Sequence, residues 1–326
     1  MKKTAWIAVA LSALLGVSIG CGGDSGGGDT GKVDPGAWAY PETQMVVSAL
    51  YLPLSSQEAK DYGFDLDHNG TVDNQLGNIL AALKSSMGDT SPQVSVDEAM
   101  GKGDIIVLFS VFAETMMESK SANMWAFLGE AVTIDPPNGP AAGDTFTVDT
   151  AQGPADAYFG GKIKGGGGVF GGDEAELALN LPLTSGSSLD LSLRSVNMDF
   201  DISAGCAAGS CEFTNGRLGG AITESDLNGK VLPEVTNLLQ DQMVDKCSNT
   251  TGSCVCESGS GAETIQSMFD TDLDCEVTLA EVQNNNIIKA FLKGDVTLKD
   301  GSKALSLAVG FDAINADFTH AATPVQ

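Results

Sequence analysis

The chain has 326 residues, 42% of them hydrophobic and 18% charged, and a formal net charge of −26 at pH 7. That balance gives a globular chain and excludes a disordered one, and so acidic a surface repels nucleic acid and anionic lipid headgroups. Seven cysteines accompany only two histidines, His68 and His320, which leaves little for a zinc site that needs imidazole or four convergent thiolates.

In chain order, Met1-Lys2-Lys3 and an apolar stretch over 5–17 form a secretion signal, too short to anchor as a spanning helix. Ser18-Ile19-Gly20-Cys21 resembles the lipobox of bacterial lipoproteins, which implies acylation of Cys21; ordinary cleavage and release is the alternative. The division expected is a signal peptide over 1–20, a Gly-rich tether over 21–36 and one β-rich domain over 37–326. The tether contains Gly23-Asp24-Ser25-Gly26-Gly27, a serine-protease string with no strand before it and no positioned base, which makes it a coincidence.

Residues 43–54 are a strand or a short helix, and Ser56 opens a helical turn ending at Asp61-Tyr62-Gly63. The next stretch, Phe64-Asp65-Leu66-Asp67-His68-Asn69-Gly70-Thr71-Val72-Asp73, has the spacing of a calcium loop. Asp65, Asp67 and Asn69 take positions 1, 3 and 5, Gly70 turns the chain at 6, Thr71 offers a carbonyl at 7 and Asp73 stands at 9. Position 12 is Leu76, not the bidentate glutamate. The loop resembles those of dockerins and thrombospondin type 3 repeats, which implies weak binding at ~10⁻⁴ to 10⁻³ M. His68 points to solvent, since calcium takes oxygen, and Leu76, Ile79, Leu80 and Leu83 predict a helix beyond.

From 104 onward the pattern is that of strands: 105–112, 124–128, 146–148, 158–164 and 169–170, broken by Gly and Pro. Leu189, Leu191 and Leu193 occupy odd positions, then Val196, Met198, Phe200 and Ile202 even ones. A change of phase requires a bulge or bend near Arg194-Ser195. The same device recurs at Leu305 to Phe311 and Ile314 to Phe318, after a hairpin turn at Asp300-Gly301. The fold class expected is therefore mainly β, an antiparallel sheet or sandwich with long bent strands, plus helical calcium-loop insertions (α+β overall). Between the strands, Thr223 with Asp226 caps a helix with an apolar stripe from Leu227 to Met243, kinked or restarted at Gly229 and Pro233.

Asp270-Thr-Asp-Leu-Asp-Cys-Glu-Val-Thr-Leu-Ala-Glu281 is the more complete loop. Asp270, Asp272 and Asp274 stand at 1, 3 and 5, Glu276 at 7, Thr278 at 9 and Glu281 at 12, the ligand pattern of an EF-hand, with flanks over 262–269 and 279–292 that can be helices. Position 6, where a positive φ favours glycine, is Cys275, at a cost of about 1 kcal/mol. With Cys21 acylated, Cys206, Cys211, Cys247, Cys254, Cys256 and Cys275 make an even disulfide set. Cys206 with Cys211 can close a local loop, Cys254 and Cys256 are too close to pair, and Cys275 is expected to bridge to Cys247, Cys254 or Cys256.

No Walker spacing and no carboxylate pair apart from the loops stands out, so enzymatic chemistry is not evident. The lipobox, glycine leash, two acidic loops and bent strands together resemble uncharacterised lipoproteins of myxobacteria and their relatives. That resemblance implies a calcium-binding lipoprotein of the cell envelope, held on the outer membrane or cell surface by its N-terminal lipid, with Ca²⁺ as a structural staple. An adhesion or glycan-binding module is the second reading, for which Trp38, Tyr40 or Trp125 would have to be exposed; a hydrolase is the third.

Overall fold

The structure, a computed structural model, describes residues 32–78, 81, 92–132, 138–148, 157–184, 187–250, 252–291 and 293–320. The expected signal peptide, Cys21, most of the tether and the helix expected through Ile79, Leu80 and Leu83 lie outside the described residues.

The strands are β1 (Glu42–Tyr51), β2 (Val107–Ala113), β3 (Glu118–Ala131), β4 (Thr145–Val148), β5 (Tyr158–Lys164), β6 (Gly167–Gly171), β7 (Glu176–Thr184), β8 (Ser187–Ile202), β9 (Glu212–Thr223), β10 (Cys247–Thr250), β11 (Ser253–Cys256), β12 (Val296–Thr297), β13 (Lys303–Asn315) and β14 (Asp317–Thr319). The order β3-β2-β1-β13-β9-β8-β6-β5 returns to β3 through a β3–β5 pairing. The ring is a closed, all-antiparallel barrel of eight strands. This corrects the sandwich: strand alternation fixes one buried face per strand, which stacking two sheets and curling one satisfy equally.

The barrel interior is packed. Phe109, Phe159, Phe170, Phe213 and Phe311 are at most 2% exposed and fill it together with Met45, Met124 and Met198. The bend expected at Arg194-Ser195 is present, while the change of phase near the C-terminus marks a switch from the inner to the outer buried face. Pairing of β8 with β9 slips between Arg194 and Asn197, where Ser195 takes φ 50°, and pairing of β13 with β9 slips between Phe311 and Ala313. The slip in β8 turns its second half so that Val196, Met198, Phe200 and Ile202 face the interior, whereas at the end of β13 Phe311 and Ala313 both face inward and Ile314, Ala316 and Phe318 face the outer cluster.

The outside of β1–β3 is covered as well. Val46, Leu108, Trp125 and Phe127 pack against Phe146 of β4, Phe318 of β14 and Trp38 of a short 3₁₀ turn, Pro35–Ala39. Two-sided burial explains why residues 105–112 read as one apolar run. The fold takes hold of the chain at Asp34, inside the segment assigned to the tether, through hydrogen bonds to Asn123.

Residues 224–291 form a helical insertion with its own core. The Thr223 cap is present, and a π turn over Leu227–Val231 precedes α3 (Leu232–Val244); this is the irregularity expected at Gly229 and Pro233. With helices α1 (Ser56–Tyr62) and α2 (Pro92–Lys102) earlier in the chain, the insertion continues with the β10–β11 hairpin, α4 (Gly261–Phe269), α5 (Leu279–Asn284) and α6 (Asn286–Phe291). The single helix expected over 279–292 is divided at Asn285, whose ψ of 133° leaves the helix while its amide donates to Met268 O and accepts from Ile288 N. No helix among the described residues is long and apolar enough to cross a membrane.

Candidate metal centres

The two acidic loops share one backbone. Positions 4 and 6 are left-handed in both: His68 at φ 56° and Gly70 at 85° in the first, Leu273 at 61° and Cys275 at 71° in the second. The carboxylate at position 1 accepts from the amides of positions 5 and 6. These bonds are 2.9 Å and 2.9 Å from Asn69 and Gly70 to Asp65, and 3.0 Å and 3.1 Å from Asp274 and Cys275 to Asp270. The position 5 side chain accepts from the amide of position 7 in each, Thr71 to Asn69 and Glu276 to Asp274, at 2.8 Å. Local sequence dictates this: short Asx side chains at 1 and 5 replace the missing helical and ladder partners of a tight turn.

Cysteine at position 6 of the second loop is held from outside. Cys275 is bridged to Cys254, Cys247 to Cys256, and Cys206 to Cys211. Cys254 N also donates to Leu273 O at 2.7 Å, and the Gln240 amide of α3 accepts from Val277 N and donates to Cys275 O. All six of these thiols are oxidised, so the grouping of Cys247, Cys254 and Cys256 is disulfide chemistry and offers no thiolate. Without the bridge, Cys254→Ala with Cys275→Gly should be more stable than Cys254→Ala with Cys275→Ala by ~1 kcal/mol, because glycine removes the left-handed strain. Denaturant melts read the difference; equal stabilities would show that the turn at 275 is not strained.

Carboxylate oxygens converge in each loop. One oxygen from each of Asp65, Asp67 and Asp73, and one from each of Asp270, Asp272 and Asp274, lie within 4.8 Å of one another. Like charges so close oppose closure of the loop unless a cation or a proton offsets them.

The loops differ in how much of that charge is already satisfied. In the second, both oxygens of Glu281 are filled: Oε1 accepts from Thr271 N (2.7 Å) and Oγ1 (2.9 Å), Oε2 from Thr278 N and Oγ1 at 2.9 Å each. Thr278 and Glu281 form a capping box at the start of α5, and these bonds hold the Glu281 carboxyl below its usual range against the desolvation that raises it. Asp272 is raised by desolvation and by the charges of Asp274, Glu281 and Asp270. A shallow depression beside the loop is lined by Thr271, Ala280, Glu281, Asn284 and Asn285.

In the first loop the balance is less complete. Asp73 is 5% exposed, and burial, with the charges of Asp67, Asp295 and Asp65, pushes its carboxyl up to about 7 in spite of a hydrogen bond from Leu66 N. Asp67 accepts from Thr297 N through Oδ2, while its Oδ1 is buried with no hydrogen-bond partner. A buried charged oxygen left alone is costly and marks a place for a cation. His68 lies between these acidic residues in sequence and pairs with Asp173 at 2.8 Å, outside the cluster.

The first loop is also built into the barrel wall. Phe64 lies against Gly219 of β9, where a β-carbon would come within 2.6 Å of its ring, and beneath the Arg217 guanidinium at 4.6 Å. Arg217 pairs with Asp199 and donates to the carbonyls of Asp61 and Gly63, closing the C-terminus of α1. Beyond the loop, Asn74 bonds to β13, and Gln75 N donates to Ser306 Oγ, which is itself bonded to Asp295. Leu66 packs with Val296, Leu298 and Ala304. The spacing pattern exposed the carboxylates of this loop but not its anchorage, which comes from residues more than 140 positions away in sequence.

Comparison with known proteins identifies no relative: no family model matches the chain, and no curated protein and no solved structure matches it.

Proposed function

We propose that the protein is a calcium-binding lipoprotein of the cell envelope in which Ca²⁺ fastens two acidic turns to a β-barrel. The observation that carries this reading is the orphaned Asp67 Oδ1 beside the buried Asp73, in a loop whose backbone is already wound for a hard cation. Six oxygen donors suit calcium: the carboxylates of Asp65, Asp67 and Asp73, the Asn69 amide, the Thr71 carbonyl and a water. The second loop offers Asp270, Asp272, Asp274, the Glu276 carbonyl and Glu281, with Thr278 at position 9. Its glutamate has to leave four hydrogen bonds to ligate, so the ranking expected from spacing is reversed and the first loop is the tighter site.

Melting in calcium against EDTA, with stoichiometry by equilibrium dialysis, tests the reading. Two ions per chain are expected. At a hundredfold excess over Kd the tighter site adds about 2.7 kcal/mol, a rise of roughly 5–10 °C for a chain of this size. Identical melts in calcium and EDTA would remove the proposal. The mass of the mature N-terminal peptide reports acylation of Cys21 directly. Of the aromatics a glycan-binding reading would use, Trp125 is 1% exposed and Trp38 packs edge-on against Phe112, Trp125 and Tyr158, while Trp38 and Tyr40 are half-buried.

A further inference from the structure

Of the three disulfides, two stand side by side. One Sγ from each of Cys247, Cys254 and Cys256 lies within 4.8 Å of the other two, so the bridge Cys254–Cys275 abuts the bridge Cys247–Cys256. The register of the β10–β11 ribbon explains it: Cys247 stands opposite Cys256, and Cys254 shares a face of β11 with Cys256, two residues away. The bridge Cys206–Cys211 belongs to the barrel core and groups with no third sulfur among the described residues.

The two ends of Cys254–Cys275 differ in their surroundings. Cys275 is half-buried on a loop whose residues 271–274 and 276 are exposed, within reach of a small thiol. Cys254 is 5% exposed and belongs to the core of Leu239, Met243 and Phe269. Attack on the Cys275 sulfur therefore leaves the Cys254 thiolate in apolar surroundings, where a charged sulfur is disfavoured. The electrophile beside it is the Cys247–Cys256 bond. Exchange there carries the charge to Cys256, which is only partly buried and lies at the end of the ribbon away from its turn.

The same bridge joins the second acidic loop to the hairpin. Apart from it, the junction consists of the bond from Cys254 N to Leu273 O and a long one, 3.5 Å, from Asn249 Nδ2 to Asp274 O. Gln240 holds the turn from the side of α3.

We infer that Cys247, Cys254, Cys256 and Cys275 form a thiol–disulfide exchange centre that a dithiol switches between two bridged forms. One thiolate of the dithiol bonds to Cys275 and expels the Cys254 thiolate; its second thiol then closes the reagent's own disulfide and returns Cys275 as a thiol. The Cys254 thiolate attacks Cys247 Sγ, breaking Cys247–Cys256 and leaving Cys256 as the other thiol. The dithiol gives up two electrons and two protons; the chain ends with thiols on Cys256 and Cys275 and a Cys247–Cys254 bridge. A diagonal bridge asks the ribbon to close by about 1 Å, and a two-stranded ribbon paired to no other strand can yield that much. The hairpin stays closed while the acidic loop is released from it. The exchange itself does not rest on the calcium reading.

Graded dithiothreitol in EDTA, quenched with iodoacetamide and mapped by fragmentation mass spectrometry, tests it on the full chain. Among these six cysteines the first labels should fall on Cys256 and Cys275, with Cys206–Cys211 intact. In that form a glutamate-specific protease should cut after Glu276 severalfold faster than in the oxidised protein. The variant Cys275→Ser keeps a Cys254 thiol beside Cys247–Cys256; without reductant, part of its hairpin label should appear on Cys256. Cys254→Ser with Cys275→Ser should leave both remaining hairpin cysteines unlabelled. First labels on Cys254 and Cys275, loss of all three bridges together, a Cys275→Ser chain labelled in the hairpin on Cys254 alone, or unchanged cutting at Glu276 would overturn the inference. Calcium is absent throughout, so a chain that binds none leaves these outcomes unaltered, and the two readings fail separately.

Discussion

Asp73→Asn should act in opposite directions with and without calcium. The Asp73 carboxyl titrates at 3.8 in the unfolded chain and at about 7 in the ion-free fold, chiefly because of burial. Between those values the folded protein holds a proton that the unfolded chain lacks. The stabilisation this gives is complete below the lower value and is lost as pH rises through about 7. At pH 8 the ion-free fold therefore carries a buried carboxylate among Asp65 and Asp67. Asparagine removes that charge, keeps an oxygen for the Leu66 amide and brings a donor beside Asp67. In EDTA at pH 8 the variant should melt several degrees above wild type, and the difference should shrink at pH 5. With calcium the order inverts, because the first loop has lost one of three carboxylates and most of its calcium-dependent rise. Glu281→Gln, whose parent carboxylate is already satisfied by Thr271 and Thr278, should lose less of that rise. Melting curves at two pH values with calcium or EDTA check both statements. A variant less stable than wild type in EDTA, with an unchanged calcium increment, would show that Asp73 is not the strained ligand.

Asn74→Ala is expected to be the most damaging single change near the first loop. Pairing of β1 with β13 ends at Tyr51 with Gly310, and two residues further along β13 the Asn74 amide takes the place of a strand neighbour. Its Nδ2 donates to Ala308 O and Ala59 O, and its Oδ1 accepts from Ala308 N and Gly77 N, at 2.9–3.0 Å with the side chain 2% exposed. Alanine leaves several buried backbone groups without partners at about 1–3 kcal/mol each. A loss of ~4 kcal/mol corresponds to a fall of roughly 10 °C in Tm, accompanied by weaker calcium binding because the exit of the loop is released. Asn69→Ala, on the exposed rim of the same loop, should cost far less. A melting temperature within about 2 °C of wild type for Asn74→Ala would mean that water replaces the amide.

Elements whose signal is local were legible in the sequence. The phase change at Arg194-Ser195 required a bend, and Ser195 makes it; Gly63 ends α1; Cys254–Cys275 is among the bridges expected for the cysteine at position 6 of the second loop. Closure into a barrel was not legible, because it depends on β3 meeting β5 across an intervening β4, a pairing no periodicity encodes. The same limit applies to the first loop. Its acidic positions could be counted along the chain, but the burial of Asp73 and the orphaned oxygen of Asp67 come from Thr297, Asp295 and the β9–β13 wall. Position counting therefore favoured the loop with more carboxylates over the loop with more strain.

The bond from Asn74 to Ala308 joins residues 234 positions apart. A chain made from its N-terminus presents the first acidic turn early, yet the wall that completes it arrives only with β13. A cation bound there would have no finished seat until nearly the whole polypeptide has been made, and contacts formed after the folding barrier slow departure from the native state without hastening arrival. On the proposed reading calcium would act as a late latch, lengthening the lifetime of each molecule against proteolysis and contributing little to the speed at which new molecules mature.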